Sequence, residues 1–173
     1  MELETKNLII KKFIPEYISI MYETWGTDKD VGMYMPGFKV DWNLEGFKDY
    51  ILKTYKDAYH TRLIIQEKKT KHIIGNISLY QEDSRSKSIT LWIMKEYWNK
   101  GYGTEAVKGI IEELKKTNLE CLYATSDARN IGAVRMLEKC GFECIDKIED
   151  YRKDLDGNIG DELLYDLEIK RGR

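Results

Sequence analysis

Residues 97–106 read Tyr97-Trp98-Asn99-Lys100-Gly101-Tyr102-Gly103-Thr104-Glu105-Ala106, and this stretch decides both the fold and the ligand that we predict. Gly101 and Gly103 allow the backbone to turn tightly and a ligand to approach it closely. The loop runs directly into a segment with apolar residues at helical spacing: Val107, Ile110, Ile111 and Leu114. The first amides of a helix have no intrahelical partner, and together with the helix dipole they suit a pyrophosphate. The stretch therefore predicts an anion cradle.

The same loop also satisfies the dinucleotide fingerprint G-x-G-x-x-G/A, because Ala106 follows the two glycines at that spacing. The strand predicted from Leu119 to Ala124 follows the helix, and Asp127 stands near the place of a ribose-binding acid. The position of the loop argues against this alternative. A Rossmann motif opens a long parallel sheet, whereas the segments before this loop are typical of antiparallel hairpins. A nicotinamide-dependent oxidoreductase is therefore the minor alternative.

Length and composition predict one globular domain over residues 1–173. The net charge of −2 lacks the basic excess that nucleic-acid binding uses, so we expect no nucleic-acid partner. No run approaches the roughly 20 apolar residues that cross a bilayer, so we expect no membrane span. The 3 cysteines show no C-x-x-C spacing, which indicates reduced thiols in the cytoplasm. His60 and His72 stand far apart, so we expect them to be solvated and no metal to be bound.

The hydrophobic pattern predicts the element order β, α, α, three β, α, β, α, β, β. The predicted strands are Leu8 to Phe13, Leu63 to Ile65, Ile73 to Tyr80, Ile89 to Ile93, Leu119 to Ala124 and two long strands around the turn Asp156-Gly157-Asn158. The predicted helices besides the one after the cradle are Pro15 to Thr24, a helix capped by Asn43 that ends near Ala58, and Asn130 to Lys139. The fourth and fifth strands can lie parallel because a helix joins them, and the cradle lies at that crossover.

Residues 130–142, Asn130-Ile131-Gly132-Ala133-Val134-Arg135-Met136-Leu137-Glu138-Lys139-Cys140-Gly141-Phe142, complete a pattern that resembles the GNAT acyltransferase superfamily. The chain is most similar to the RimJ/RimL-type ribosomal-protein N-acetyltransferase branch. Three further matches carry this resemblance: Leu3-Glu4-Thr5, Tyr97-Trp98-x-Lys100-Gly101-Tyr102, and Asp161-Glu162-Leu163-Leu164-Tyr165. The resemblance covers essentially the whole chain. It implies an α/β (α+β) fold with a mixed, mostly antiparallel sheet of about seven strands, helices on both faces, and splayed strands 4 and 5.

The resemblance also implies direct transfer of the acetyl group of acetyl-CoA, the cosubstrate, to a primary amine. The acceptor would be the α-amine of a protein or peptide N-terminus, or a small-molecule amine, and the enzyme a monomer or homodimer. The residues implied in cosubstrate binding are Ile93 and Met94 for the pantetheine arm, Asn99, Lys100, Gly101, Tyr102, Gly103 and Thr104 for the pyrophosphate, and Asn130 and Arg135. Asn130 is also the catalytic candidate, although it would cap a helix in any case and Arg135 suits a solvated helix face.

The chain departs from the family pattern where acids and bases are common. Leu137 replaces the tyrosine of many relatives, Ala133 replaces a serine, and Ser88 stands where some relatives carry glutamate. Trp98 begins the loop where the superfamily has glutamine or arginine. A CoA thiolate can leave without an acid, since thiol pKa values lie near about 8.5. The missing base keeps a second hypothesis open, a non-catalytic CoA-binding protein.

The missing base also bears on the acceptor. An α-amine with a pKa of about 8 is about one tenth neutral at pH 7, whereas a lysine side chain with a pKa of about 10.4 is neutral in less than about a thousandth of molecules. Weak base assistance therefore favours an α-amine or another amine of lowered pKa. By analogy with relatives, the acceptor site lies between the loop of the first two helices and the final hairpin, with Trp25, Tyr34 and Tyr151 as candidates. Each of these aromatics also suits ordinary packing.

Overall fold

The computed structural model describes residues 2–169, except the side chain at position 54. Its strands are β1 (Leu3–Glu4), β2 (Leu8–Lys12), β3 (His60–Glu67), β4 (Ile73–Gln81), β5 (Ser86–Ile93), β6 (Cys121–Asp127), β7 (Glu143–Lys153) and β8 (Ile159–Glu168). Its helices are α1 (Ile18–Met21), α2 (Lys29–Gly32), α3 (Leu44–Tyr55), α4 (Tyr102–Leu114) and α5 (Ile131–Lys139). Within residues 2–169, no helix has the length and apolar character that a bilayer crossing requires.

All eight strands form one open sheet in the order β1-β2-β3-β4-β5-β6-β8-β7. Every neighbouring pair is antiparallel except β5 and β6, which run parallel because α4 carries the chain back between them. The predicted mixed, mostly antiparallel sheet is confirmed, with the short strand β1 in addition to the seven that were expected. The last hairpin does not extend the sheet in chain order, since β8 lies between β6 and β7.

The predicted splay lies between β5 and β6. Their register runs only from Ser86 opposite Cys121 to Ser88 opposite Tyr123. Beyond Ser88, strand β5 continues to Ile93 and β6 continues to Asp127 with no pairing between them in the described chain. The two strands therefore enclose a wedge-shaped gap that opens toward the start of α4.

The sheet carries a hydrophobic cluster on each face, which confirms helices on both sides. Val107 and Ile110 of α4 pack on one face with Ile77 of β4. Phe47 of α3 packs on the other face with Trp92 of β5 and the aromatic core around it. Because successive strand residues point to opposite faces, neighbours on one strand belong to different clusters. The gap between β5 and β6 therefore lies in the sheet, between the two hydrophobic clusters.

The first helical run differs in detail from the predicted helix Pro15 to Thr24. It begins with a 3-10 turn at Pro15–Tyr17, continues as α1, and ends in a π-helical turn at Tyr22–Gly26. The loop after it contains the unpredicted helix α2, which Asp28 caps by accepting hydrogen bonds from the amides of Asp30 and Val31 at 2.8 and 3.3 Å. The predicted cap of α3 is confirmed, because Asn43 Oδ1 accepts from Gly46 N at 2.8 Å.

Candidate active site

The loop before α4 has the backbone geometry of an anion cradle. Asn99 and Gly101 adopt positive φ angles of 57° and 82°, so two of three consecutive residues have left-handed backbone. Glu105 N donates to Gly101 O at 2.9 Å and closes the first helical turn. The amides of residues 102–104 precede that bond and have no acceptor within the helix. They form a concave set of donors of the kind that binds phosphate groups.

The two glycines of the cradle are needed for different reasons. A Cβ on Gly101 would meet no atom within 4 Å, so glycine is required there for its positive φ. Gly103 lies in ordinary helical backbone, but a Cβ there would approach Leu91 Cδ2 to 3.2 Å. Gly103 therefore allows the helix start to pack closely on β5.

Polar side chains fasten the start of α4 to the sheet. Tyr102 donates its hydroxyl to Glu67 Oε1 on β3 at 2.6 Å, and this hydrogen bond raises the pKa of Tyr102. Glu105 accepts from Thr5 Oγ1 at 2.5 Å and from the Asn7 amide at 2.6 Å, at the turn after β1. Burial raises the pKa of Glu105, but these hydrogen bonds outweigh burial and leave its pKa below the ordinary value. The cradle is thus held in place before any ligand binds.

The end of β5 presents backbone groups to the gap. Met94 N donates to Ile74 O of the neighbouring strand at 2.8 Å. Because an antiparallel ladder alternates, the N–H and C=O groups of Leu91 and Ile93 point to the opposite edge, toward β6. Pairing with β6 has ended at Ser88, so the described strands supply no ladder partner there. These groups suit the amides of a pantetheine arm, which can pair like a short strand.

A cavity of about 780 Å³ joins the cradle to this gap. Leu91 packs with the cluster under α4, whereas Trp92 belongs to the cluster under α1–α3. Their side chains therefore lie on opposite faces of the sheet, and both line the cavity. The cavity thus passes through the sheet at the splay.

We name its two parts by position. The cradle arm is lined by Leu91, Ile93, Tyr97, Trp98, Asn99, Gly101, Tyr102, Gly103 and Thr104, by the α5 cap Asn130, and by the α5 residues Ile131, Gly132, Ala133, Arg135, Met136 and Lys139. The opposite arm is lined by Asp30, Val31, Met33, Tyr34 and Trp92.

Most residues predicted for cosubstrate binding line the cavity. They are Ile93, Asn99, Gly101, Tyr102, Gly103, Thr104, Asn130 and Arg135. Met94 does not line it, because its N–H bonds to Ile74 and its carbonyl accepts from Tyr97 N at 2.9 Å. Lys100 lies outside the lining too, with its Nζ 5.3 Å from the centre of the Tyr97 ring.

Asn130 has the capping role that its position predicted. Its Oδ1 accepts from Ala133 N at 3.2 Å at the start of α5. The same residue lines the cradle arm, so capping and ligand contact remain compatible. Leu137, at the position of the missing tyrosine, is buried in the core, and Ser88 donates to Glu82 at 2.5 Å.

The three aromatic candidates for the acceptor site are placed differently. Tyr34 lines the opposite arm. Trp25 is fully buried in the core under α1–α3 and presents no surface to the cavity. Tyr151 lies on the edge strand β7, 63% exposed and outside the lining. The structure thus brings only Tyr34 to the site.

The loop accommodates the large side chain of Trp98 at its first position because the indole forms a hydrogen bond with β5. Its indole Nε1 donates to Ile93 O at 2.7 Å. This bond satisfies the carbonyl of Ile93 and leaves the N–H of the same residue directed at the gap. Trp98 also lines the cradle arm.

Asp30 is the one carboxylate that lines the cavity among residues 2–169. It forms an ion pair with Lys95, with a distance of 2.5 Å from Nζ to Oδ2. The hydrogen bond to Asp30 and its charge raise the pKa of Lys95. Since Asp30 is neutralised by a neighbour, the described lining holds no uncommitted carboxylate and no histidine that could act as a general base.

The structure also places the other residues that the sequence singled out. Among the described residues, no group of three or more potential ligands surrounds a metal site. Asp127 is buried and bonds to Arg129 at 2.7 Å, so it is not available to bind a ribose. The expectation of a solvated His60 is wrong, because its ring is buried and stacks on Tyr80 at 4.5 Å. His72 is exposed as expected.

Apart from Tyr34 and Ile93, sequence reasoning missed the described residues that line the opposite arm and the end of β5. Asp30 belongs to α2 and Met33 directly follows this helix, whose only sequence signal was the capping residue Asp28. Leu91 and Trp92 lie in the predicted strand. Because neighbouring strand residues point to opposite faces, their positions were the sequence signal that a cavity at this strand end could reach both faces of the sheet.

Comparisons with known proteins agree with this geometry. Residues 7–143 match the family model described as the acetyltransferase (GNAT) domain. An uncharacterized N-acetyltransferase of Bacillus subtilis (strain 168), YnaD, is 29% identical over 144 residues, which cover 82% of each chain. The chain therefore belongs to the acetyltransferase (GNAT) domain family.

Solved structures share the fold at low sequence identity. Spermidine N-acetyltransferase of Vibrio cholerae, in complex with CoA and spermine, has a TM-score of 0.82 and 15% identity, with 96% of this chain and 98% of that chain covered. RimL, a ribosomal L7/L12 α-N-protein acetyltransferase in complex with CoA, has a TM-score of 0.86 and 9% identity, with 99% and 100% covered. As a member of the family, the chain is an N-acetyltransferase with acetyl-CoA as its cosubstrate, as predicted.

Proposed function

We propose that the chain transfers the acetyl group of acetyl-CoA directly to a primary amine of lowered pKa, with the α-amine of a protein or peptide N-terminus as the preferred acceptor. The observation that carries the proposal is the cavity that crosses the sheet and has, in the described lining, a single carboxylate that is already paired. Such a site can align an amine with a thioester but offers it little help in losing a proton.

The two arms assign a side of the sheet to each substrate. Acetyl-CoA occupies the cradle arm, with its pyrophosphate on the amides of residues 99–104 and its pantetheine along Leu91 and Ile93. Asn130 and Arg135 contact it from α5. The amine enters through the opposite arm, which we therefore call the acceptor arm, and meets the acetyl group in the gap, so no covalent enzyme intermediate is required.

Backbone groups supply the stabilisation that the reaction needs. The N–H of Ile93 points into the gap and donates to the thioester oxygen as negative charge develops on it. The thiolate of CoA leaves without a proton donor, because its pKa is near the ordinary thiol value of about 8.5. The proton that the attacking nitrogen loses as the amide forms passes to this thiolate or to water. In this scheme the role predicted for Met94 passes to Leu91, since both backbone groups of Met94 are engaged in the protein.

The acceptor class follows from the fraction of each amine that is neutral at pH 7. With no base in the described lining, the amine must arrive neutral. At pH 7 about one tenth of an α-amine population is neutral, compared with less than about a thousandth of lysine side chains, so the α-amine has an advantage of more than about a hundredfold. RimL, which matches in fold, is named as an α-N-protein acetyltransferase, and this name supports the same class.

A polyamine is the second candidate, because a spermidine N-acetyltransferase shares the fold and Asp30 places a carboxylate in the acceptor arm. For that acceptor, Asp30 would have to exchange Lys95 for a substrate ammonium group. The α-amine requires no such exchange, and we therefore rank it first.

The test is CoA release with three acceptors. One peptide has a free N-terminus and no lysine, a second has an acetylated N-terminus and one lysine, and the third acceptor is spermidine. We expect the highest kcat/KM for the free N-terminus, with a rise of about tenfold from pH 6 to pH 7 and a plateau above about pH 9. Faster acetylation of the lysine peptide or spermidine would contradict the proposal, and acetyl-CoA binding without release from any amine would favour the non-catalytic alternative.

A further inference from the structure

Arg129 lies just beyond the end of β6 and outside the cavity lining. Its Nε and Nη2 donate to the two carboxylate oxygens of Asp127 at 2.9 and 2.7 Å. The Asp127 side chain is 1% exposed, so the carboxylate is a fixed anchor for the guanidinium. A bidentate pair of this kind restricts the orientation of the guanidinium plane as well as its position.

From this anchor the guanidinium reaches the turn between β7 and β8. Its Nη1 donates to Asp154 Oδ2 at 3.0 Å. Asp154 in turn holds the turn together, because its Oδ1 accepts from the amides of Asp156 and Asn158 at 2.9 Å each. Arg129 thus couples the end of β6, at the splay, to the tip of the last hairpin.

The hairpin tip lies against the acceptor arm. Leu155 N donates to Met33 O at 3.0 Å, and Lys29 forms an ion pair with Asp156 at 2.6 Å. The Arg129 guanidinium itself lies 5.6 Å from the centre of the Tyr34 ring. Met33 and Tyr34 both line the acceptor arm. Met33 and Tyr34 are therefore held in place by contacts with Leu155 and Arg129, which do not line the acceptor arm themselves.

We propose that Arg129 is a positioning residue for the acceptor, acting through Tyr34. Anchored by Asp127, it fixes the ring of Tyr34 and the hairpin tip, and so sets the shape of the acceptor arm without contacting either substrate. This inference rests on the proposed function, because it assigns the amine to that arm. It predicts that loosening Arg129 weakens the use of the amine and leaves the binding of acetyl-CoA unchanged.

Arg129→Lys is the first variant. Lysine keeps the positive charge but lacks the planar guanidinium that donates two hydrogen bonds to Asp127 and lies over the ring of Tyr34. We expect KM for the amine to rise about tenfold, with kcat changed less than about threefold and the Kd for acetyl-CoA unchanged.

Gly160→Ala tests the same position without removing Arg129. A Cβ at Gly160 would lie 2.7 Å from Arg129 Cζ, so the guanidinium must move from its place. Because this variant keeps every charge, it keeps the proposal testable if Arg129→Lys folds poorly. The control is Lys147→Gln, which removes an exposed ion pair to Asp161 on the same hairpin. We expect Gly160→Ala to raise KM for the amine and Lys147→Gln to have the wild-type KM.

A double-mutant cycle separates positioning from simple structural support. Tyr34→Leu removes the ring on which Arg129 acts. If Arg129 works through Tyr34, Arg129→Lys has little further effect on KM in the Tyr34→Leu background. Additive effects in this cycle would overturn the inference.

The other outcomes are equally decisive. An active wild type whose Arg129→Lys and Gly160→Ala variants keep the wild-type KM for the amine would overturn this inference alone. Equal losses of amine use and acetyl-CoA affinity, with a matching loss of thermal stability, would also overturn it, because they show a general structural role. A wild type that binds acetyl-CoA and acetylates no amine would overturn the proposed function and this inference with it.

Discussion

Gly101→Ala is the most direct test of the cradle, and the chain offers a matched control. Gly101 and Gly37 both have positive φ angles, 82° and 74°, and a Cβ at either position would meet no atom within 4 Å. Alanine therefore causes backbone strain at both positions and a steric clash at neither. Only Gly101 belongs to the loop that lines the cavity.

The size of the effect follows from the cost of a left-handed residue with a side chain. That cost is about 1–2 kcal/mol for an L-residue other than glycine. Each variant should lose up to this amount in free energy of unfolding. In Gly101→Ala the free loop can relieve the strain by turning its amides away, and ligand binding must then restore the positive φ. We therefore expect its Kd for acetyl-CoA to rise about 5- to 30-fold.

The assay pairs calorimetric titration with urea denaturation for wild type and both variants. We expect Gly37→Ala to lose up to about 1–2 kcal/mol in free energy of unfolding, Gly101→Ala to lose less because its loop relaxes, and only Gly101→Ala to bind acetyl-CoA more weakly. Wild-type affinity in Gly101→Ala, with little loss of stability, would show that the loop has relaxed and that the positive φ is not needed for binding. Weaker binding in both variants would show that the loss reflects general destabilisation.

Two further predictions concern Asn130 and Asp127. Asn130→Ala should lower the free energy of unfolding by about 1 kcal/mol, because it removes the cap on Ala133 N, whereas Asn130→Ser should retain most of the stability. If Asn130 also contacts acetyl-CoA, calorimetry should show a raised Kd for both variants, and a wild-type Kd for Asn130→Ser would restrict the residue to capping. For Asp127, burial raises the pKa, but the hydrogen bonds and charge of Arg129 outweigh burial and hold the pKa below its ordinary value. Its ionised form therefore adds stability above about pH 4, and this stability is lost as the pH falls through the lower folded-state pKa. Asp127→Asn should flatten the fall of the urea midpoint in that acidic range, and parallel curves for the two proteins would contradict the assignment.

The cradle could be predicted from sequence because its determinants are local. A positive φ, a helix start and an apolar stripe are properties of consecutive residues, and the structure places Gly101, Gly103 and α4 as expected. The parallel pair β5 and β6 was predictable for a similar reason, since a single helix connects them. Local chemistry of this kind needs no knowledge of what packs against it.

The acceptor arm could not be predicted in the same way, because tertiary packing decides which aromatics reach it. Trp25 and Tyr34 lie nine positions apart on the same helical segment and loop, yet Trp25 is fully buried and Tyr34 lines the cavity. The π-helical turn at Tyr22–Gly26 shifts the helix face by one residue, and no sequence signal marked that shift. The position of β8 between β6 and β7 likewise depends on long-range pairing.

Trp98 shows how a departure from a family pattern can be read once the structure is known. Judged by sequence, the change at the first loop position was tolerable because the cradle works through backbone amides. The structure adds a specific role, since the indole N–H occupies Ile93 O and leaves Ile93 N–H as the polar group directed at the gap. Because the Trp98 side chain occupies the carbonyl of Ile93 and the N–H of Ile93 stays free, the backbone of Ile93 can donate a hydrogen bond to a ligand oxygen. This is the polarity required where a thioester carbonyl gains negative charge.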